Sequence, residues 1–348
     1  RRDTREESRI ALEVDFRDGK LKYQDAPVPV EDIFIDFKGS LDNGLIEIEA
    51  DTLSFIIAED FSRGNIYMKG RKDSFDLKTR LHAQLNLHLL QETLKLPDIN
   101  FGGHLNADIT AEGVYDETNS HFPITDAEFI VREGSLQTSF PDPIEDITVD
   151  FLLKNTNGGL DGTSIVLKEL SFDFEDNPFE ISAALRNLEL LDYDIQARGS
   201  LDLNSFSQVA PLPYISNANG FIRLDARFKG HMVRGAQGAP PDVKVEANSG
   251  KLFLENVVLN LEELPEPLEI VSGDFTFQLN RLEFSEFQVK YAGNYSLLNG
   301  YFTNYLDYFL VPEGVLLGDF DFKSEFIDLD ALIPKEEVPS QNLVETHI

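Results

Sequence analysis

The feature that most narrows the fold is a two-residue alternation of apolar and polar side chains. In "IALEVDF", Ile10, Leu12, Val14 and Phe16 fall on one side of an extended chain, and Glu13 and Asp15 on the other. "EDIFIDF" sets Ile33, Ile35 and Phe37 against Asp32, Phe34 and Asp36, and "EDITVDF" groups Ile147, Val149 and Phe151. "GDFTFQL" groups Phe275, Phe277 and Leu279, and "GDFDF" groups Phe320 and Phe322. Successive side chains of a strand point to opposite faces, so these are strands with one apolar and one wet face, as in antiparallel sheets. Asp18-Gly19, Asn43-Gly44, Arg63-Gly64, Glu133-Gly134, Asn157-Gly158-Gly159, Asn219-Gly220 and Ser249-Gly250 read as the turns between them. The chain is predicted to be all-β.

Helical spacing is rare. "LHLLQETLKLP" carries Leu87, Leu90 and Leu94 and stops at Pro97. "LNSFSQVAPLP" carries Phe206 and Val209, with Asn204 or Ser205 as its cap, and "DLDALIP" (328–334) is a third short candidate.

The chain also repeats itself. "PVEDIFIDF" (Pro29–Phe37) returns as "PIEDITVDF" (Pro143–Phe151), 114 positions on, with six of nine residues identical. Gly19 and Gly134, Leu53 and Leu170, Leu85 and Leu201, Pro97 and Pro213, and Gly113 and Gly230 keep the same order at offsets of 115 to 117. A third copy opens at Gly250 in "SGKLFLENV", and its "FIDLDALIP" matches the earlier "SLDLNSF" after an insertion of about ten residues. The predicted organisation is three units, 1–113, 114–230 and 244–334. A loop at 231–243 joins the second and third, and 335–348 is a linker to further sequence. A period this long is a module of several strands. Three units of about seven strands, at roughly 4.8 Å each, predict an array on the order of 100 Å long.

Charge and motif content exclude several functions. The chain of 348 residues has 30 basic and 62 acidic side chains, a formal charge of −32. A nucleic-acid binder needs a basic footprint, and attachment to anionic lipid needs a polybasic surface. There is no cysteine, hence no disulfide framework and no thiol chemistry. The six histidines make no zinc spacing, and no nucleophile elbow, phosphate loop or dinucleotide fingerprint is present. Asp173, Glu175 and Asp176, and Glu59 and Asp60, are acids of the type that hold hard cations, but they lack the glycine-turned loop of a calcium site and read as solvated charge. No run approaches a membrane span, and the charged "RRDTREESRI" is not a signal peptide, so the chain is expected to be a segment of a longer protein. No catalytic residue, metal or cofactor is expected. An acidic carbohydrate-active enzyme would need a carboxylate pair about 5–10 Å apart in a cleft.

An apolar sheet face must be covered. A second sheet, closure into a barrel, or a curled trough filled by ligand all give the same alternation. "GKLFL", "SLDLNSF…PLP…GFIRLDARFKG" and "FIDLDALIP" resemble the AsmA family of Gram-negative envelope proteins, which includes TamB-like members and is related to the bridge-like lipid transfer proteins. The resemblance spans residues 10–334 and rests on strand patterns. It implies an elongated antiparallel sheet curled into an open trough and a periplasmic location, with an inner-membrane helix upstream of this chain. It also implies transfer of phospholipid, or another acyl-chain lipid, between the inner and outer membranes. The groove lining would then be Leu12, Val14, Phe16, Ile33, Ile35, Phe37, Ile147, Val149, Phe151, Phe275, Phe277, Leu279, Phe320 and Phe322. The rival is a structural or adhesive β-repeat protein with packed, ligand-free cores.

Overall fold

The computed structural model describes residues 9–22, 26–94, 100–137, 143–209, 215–233, 242–261, 264–311 and 314–326. The strands are β1 (Arg9–Leu21), β2 (Val30–Asp42), β3 (Leu45–Ile57), β4 (Asp60–Arg71), β5 (Ser74–Asn86), β6 (Asn100–Asp116), β7 (Ile124–Gln137), β8 (Ile144–Asn155) and β9 (Thr163–Phe174). They continue with β10 (Asn177–Arg186), β11 (Asp192–Asp202), β12 (Ile215–Val233), β13 (Asp242–Leu261), β14 (Leu268–Gln278), β15 (Arg281–Tyr291), β16 (Asn294–Thr303) and β17 (Leu317–Ser324). Helix α1 (Leu87–Leu94) follows β5, α2 (Leu203–Val209) follows β11, and α3 (Tyr305–Leu310) follows β16.

Each strand pairs antiparallel with the next in sequence, from β1 with β2 to β16 with β17. Among the described residues the result is one 17-stranded meander that curls into a trough without closing, with β1 and β17 as its edges. Sixteen interstrand steps of about 4.8 Å give a path on the order of 80 Å, shorter than predicted because the strands number 17.

The curl has a local cause. Asp18, Asp32, Glu133, Asp146, Asn256 and Glu286 all have φ between 47° and 52°. Each sits where the register of its strand slips by one residue. These are β-bulges, which bend a strand and increase its twist. Asp32 and Asp146 are the same residue of the repeated nonapeptide, so that repeat encodes a bulge.

This corrects the turn reading of several dipeptides. Asp18-Gly19, Arg63-Gly64, Glu133-Gly134, Asn219-Gly220 and Ser249-Gly250 all lie inside strands, whereas Asn43-Gly44 and Asn157-Gly158-Gly159 do form turns. The Phe16 ring lies over Gly19: a Cβ there would stand 1.9 Å from Phe16 Cε1, so a side chain at this position would push the ring aside. Both ends of the loop predicted at 231–243 are strand, and 234–241 lie outside the described residues. β12 runs through Val233 and β13 starts at Asp242, with His231 opposite Lys244 and its Nδ1 3.3 Å from Glu246.

The helices start from repeated caps. Asn86 Oδ1 accepts the Leu89 amide at 3.0 Å, and Asp202 Oδ1 accepts the Asn204 and Ser205 amides at 2.9 and 3.2 Å. The cap of α2 is thus Asp202, two or three residues before the predicted Asn204 or Ser205. Such a side chain satisfies the open amides of a first turn. Asn86 and Asp202 are the central residues of "LNL" and "LDL", 116 positions apart. α3 has no counterpart among the predicted helices. The candidate at 328–334 lies outside the described residues.

Candidate functional site: the apolar floor of the trough

Directly opposed residues of an antiparallel pair project from the same face. One row of such pairs runs Phe16, Ile35, Leu53, Gly64, Leu81, Ile109, Ala127, Leu153, Ile165, Leu185, Tyr193 across β1 to β11. A second row, starting four residues along β5 from Leu81, runs Leu85, Leu105, Val131, Val149, Leu170, Ile181, Ala197, Ala226, Gly250, Phe277, Leu282, Phe302 as far as β16. The apolar stripes therefore join into one continuous floor.

The floor has two parts. Over β2–β9 the large side chains, including Ile35, Phe37, Leu53, Phe129, Val149, Phe151 and Ile165, are only half-buried. The fully buried apolar residues there are Ala50, Ala83, Ala107, Ala111 and Ala127 in the middle, and Val30, Ile57 and Phe174 at one end of their strands. Helix α1 packs against β6 at one end of this half, where Gln91 and Thr93 are buried and Gln91 Oε1 accepts the Phe101 amide at 2.8 Å; over the rest no core cluster forms among the described residues, and the three clusters draw only on residues 185 to 311.

Over β12–β15 the floor is closed. Leu203 of α2 packs on Ala218, Val257, Ile270 and Val289 from one side. Tyr305 of α3 packs on Ala226 and Phe277 from the other. Between them lies a ladder of rings: Phe228 and Phe277 have centroids 4.9 Å apart, Phe275 and Phe287 5.0 Å, and Phe284 and Phe302 5.1 Å. Such pairs add to plain area burial.

The predicted lining residues divide accordingly. Val14, Ile33, Ile35, Phe37, Ile147, Val149 and Phe151 are half-buried on the open floor. Leu12 and Phe16, on edge strand β1, are 58% and 44% exposed. Phe275 and Phe277 are 6% and 8% exposed, inside the aromatic ladder. Phe320 and Phe322, on edge strand β17, are both 46% exposed, and Phe320 stands against Phe302 at 6.2 Å. Leu279 is not in the row. It sits in the β14–β15 turn with φ 53° and is 55% exposed, because β14 ends at Gln278 and the alternation ends with it.

The opposite face is polar and its charges pair across strands. Lys69 Nζ lies 3.0 Å from Glu47, Lys78 3.0 Å from Glu112, Lys154 3.2 Å from Asp126, and Arg227 2.7 Å from Asp194. Arg227 holds the Asp194 carboxyl below the usual carboxylate range, chiefly through its hydrogen bond. Pairs this exposed contribute little individually. Among the acids singled out in the sequence, Asp60 Oδ2 accepts the Asn86 amide at 2.5 Å, and Glu175 Oε1 accepts the Ser205 hydroxyl at 2.7 Å and ties the β9–β10 turn to α2.

Comparison with protein-family models, with curated proteins and with solved structures gave no match. What the site can do is therefore argued from its own geometry. A floor of apolar side chains, roofed over one stretch and bare over another, offers shape and apolar area to a ligand. Sequence reasoning missed the α3 seat: Tyr305 looks like any other aromatic of "TNYLDYFLV", and its role depends on Ala226 and Phe277, far away in sequence.

Proposed function

We propose that the open floor binds acyl chains and that the chain is a lipid-transfer segment. The reading follows the resemblance to the AsmA family: a periplasmic trough, tethered to the inner membrane by a helix upstream of this chain, carrying phospholipid between inner and outer membranes. The observation that carries it is the strip of half-buried Ile35, Leu53, Ile109, Val149 and Phe151, which belongs to none of the core clusters among the described residues. Leaving such a strip to water is costly, and an acyl chain laid on it gains roughly 0.8 kcal/mol per CH₂ buried. The reading assigns no catalytic residue and no cofactor.

The test is native mass spectrometry of the purified chain with extraction of bound lipid. Co-purifying phospholipid, lost in a Val149→Asp/Phe151→Asp variant that keeps its circular dichroism, is the expected result. A clean protein mass with no uptake from labelled vesicles would favour the second reading, a structural β-repeat protein with packed cores. The closed stretch over β12–β15 supports that second reading for its own part of the sheet.

A further inference from the structure

The closed stretch interrupts the floor, and what closes it is held in an unusual way. α3 has only six residues, too few for a helix to persist unaided. Its fixing points are few. Tyr305 Oη accepts from Asn248 Nδ2 at 2.9 Å and donates to the Leu279 carbonyl at 3.1 Å. Asp307 Oδ1 accepts the Val243 amide at 3.2 Å, and Asn280 Nδ2 donates to Asn304 Oδ1 at 3.0 Å. Asn304 enters the helix in the left-handed region, with φ 58° and no side-chain cap.

Beneath this seat lies Tyr193, 3% exposed, packed with Val243, Val311 and Leu306. Its hydroxyl has no hydrogen-bond partner among the described residues. Gly230 faces it so closely that a Cβ there would stand 2.5 Å from the hydroxyl oxygen. A buried hydroxyl without a partner opposes the packed state, because water would satisfy it if the cover lifted. The cover is the α3 segment, so the burial of Leu306 and Val311 favours the seat and the orphaned hydroxyl opposes it.

We infer that α3 is a displaceable block that ends the acyl-binding floor: it stops a chain lying on β2–β10 from passing onto β12–β15, and it lifts to let the chain through. The inference rests on the lipid reading proposed above. It adds where the ligand stops and which element controls its further movement. Tyr305 is the positioning residue, since its ring occupies the floor over Phe277 and Ala226.

The test uses the whole chain, incubated with vesicles of phosphatidylethanolamine and phosphatidylglycerol containing a phosphatidylethanolamine with a diazirine in its acyl chain. After irradiation, modified residues are mapped by peptide mass spectrometry. Wild type should be labelled at Ile109, Val149 or Phe151, and at least tenfold less at Leu224 and Leu252. Tyr305→Ala should raise labelling at Leu224 and Leu252 tenfold or more while labelling at Phe151 is retained. Asp307→Ala, which leaves the ring in place, should raise it less. Tyr193→Phe, which removes the orphaned hydroxyl, should lower it below wild type.

Equal labelling on both sides in wild type would overturn the block. So would Tyr305→Ala and Asp307→Ala proteins that keep the wild-type circular dichroism and the wild-type label pattern. Absence of label at every floor position, in wild type and variants alike, would instead sink the lipid reading itself, and the block with it.

Discussion

Asp32 and Asp146 adopt the same left-handed backbone, φ 47° and 51°, at equivalent points of β2 and β8, 114 positions apart. Each is the extra residue of a bulge, and each is followed by an isoleucine whose side chain returns to the floor. Short polar side chains tolerate this conformation and β-branched ones do not. Asp146→Val is therefore expected to cost about 1–2 kcal/mol, while Asp146→Asn stays within about 0.5 kcal/mol. Urea denaturation followed by circular dichroism measures both. Equal loss in the two variants would mean that the carboxylate matters and the backbone does not.

The two parts of the floor should respond differently to a buried charge. Phe275→Asp places a carboxylate inside the aromatic ladder and should cost about 3–5 kcal/mol. Phe151→Asp on the open floor should cost about 1 kcal/mol, the share of a half-buried ring. Thermal unfolding of both variants without lipid checks this. A collapse in both would indicate that β2–β9 is packed in solution.

Tyr193 carries a penalty that a single substitution removes. Tyr193→Phe keeps the ring against Val243 and Val311 and deletes the hydroxyl that has no partner. The variant should be more stable than wild type by about 1 kcal/mol at neutral pH, measured by urea midpoint at unchanged slope. A loss of stability would mean that the hydroxyl is bonded in solution.

Alkaline titration provides an independent reading of the same seat. Burial pushes the Tyr193 hydroxyl up to about 12, with Tyr305, Asp307 and Glu246 adding to the rise, and burial does the same to Tyr305, against its bond from Asn248. Both folded values lie above the unfolded value near 10. Ionisation is thus disfavoured in the fold: stability is at its full value below pH 10 and falls as pH rises towards 12, by on the order of 2 kcal/mol for each group. Tyr305→Phe and Tyr193→Phe should each flatten that decline. A pH dependence between 10 and 12 that is identical in wild type and both variants would contradict the burial of these groups.

The alternation at Ile10–Phe16 or Ile147–Phe151 was enough to read an antiparallel sheet, because one wet face leaves a period of two along the strand. The same signal was blind to which half of the floor is covered. Phe151 and Phe275 look alike locally, and they differ only in whether a helix from elsewhere in the chain lies over them. Glycine dipeptides misled because Asp18-Gly19 and Asn43-Gly44 carry the same kind of turn signal, yet Gly19 stays paired with Ile33 in a continuing β1–β2 ladder and belongs to a bulge, while Asn43-Gly44 lies between the paired Asp42 and Leu45 and closes a hairpin. α3 escaped because six residues hold too little helical period to register, and its seat is made by contacts distant in sequence.

Among the described residues the trough is a pure meander with an odd number of strands, so β1 and β17 run in the same direction. That parity governs how such a sheet can be lengthened. Any strand that extends the antiparallel ladder, at either edge and from whatever source, must run in the direction of β2. Two copies laid end to end with their floors on the same side would meet β17 to β1 as parallel neighbours. They can share an antiparallel ladder only like edge to like edge, about a twofold axis, or with an odd number of strands supplied between them. A groove built from these modules therefore has a polarity that is set by counting.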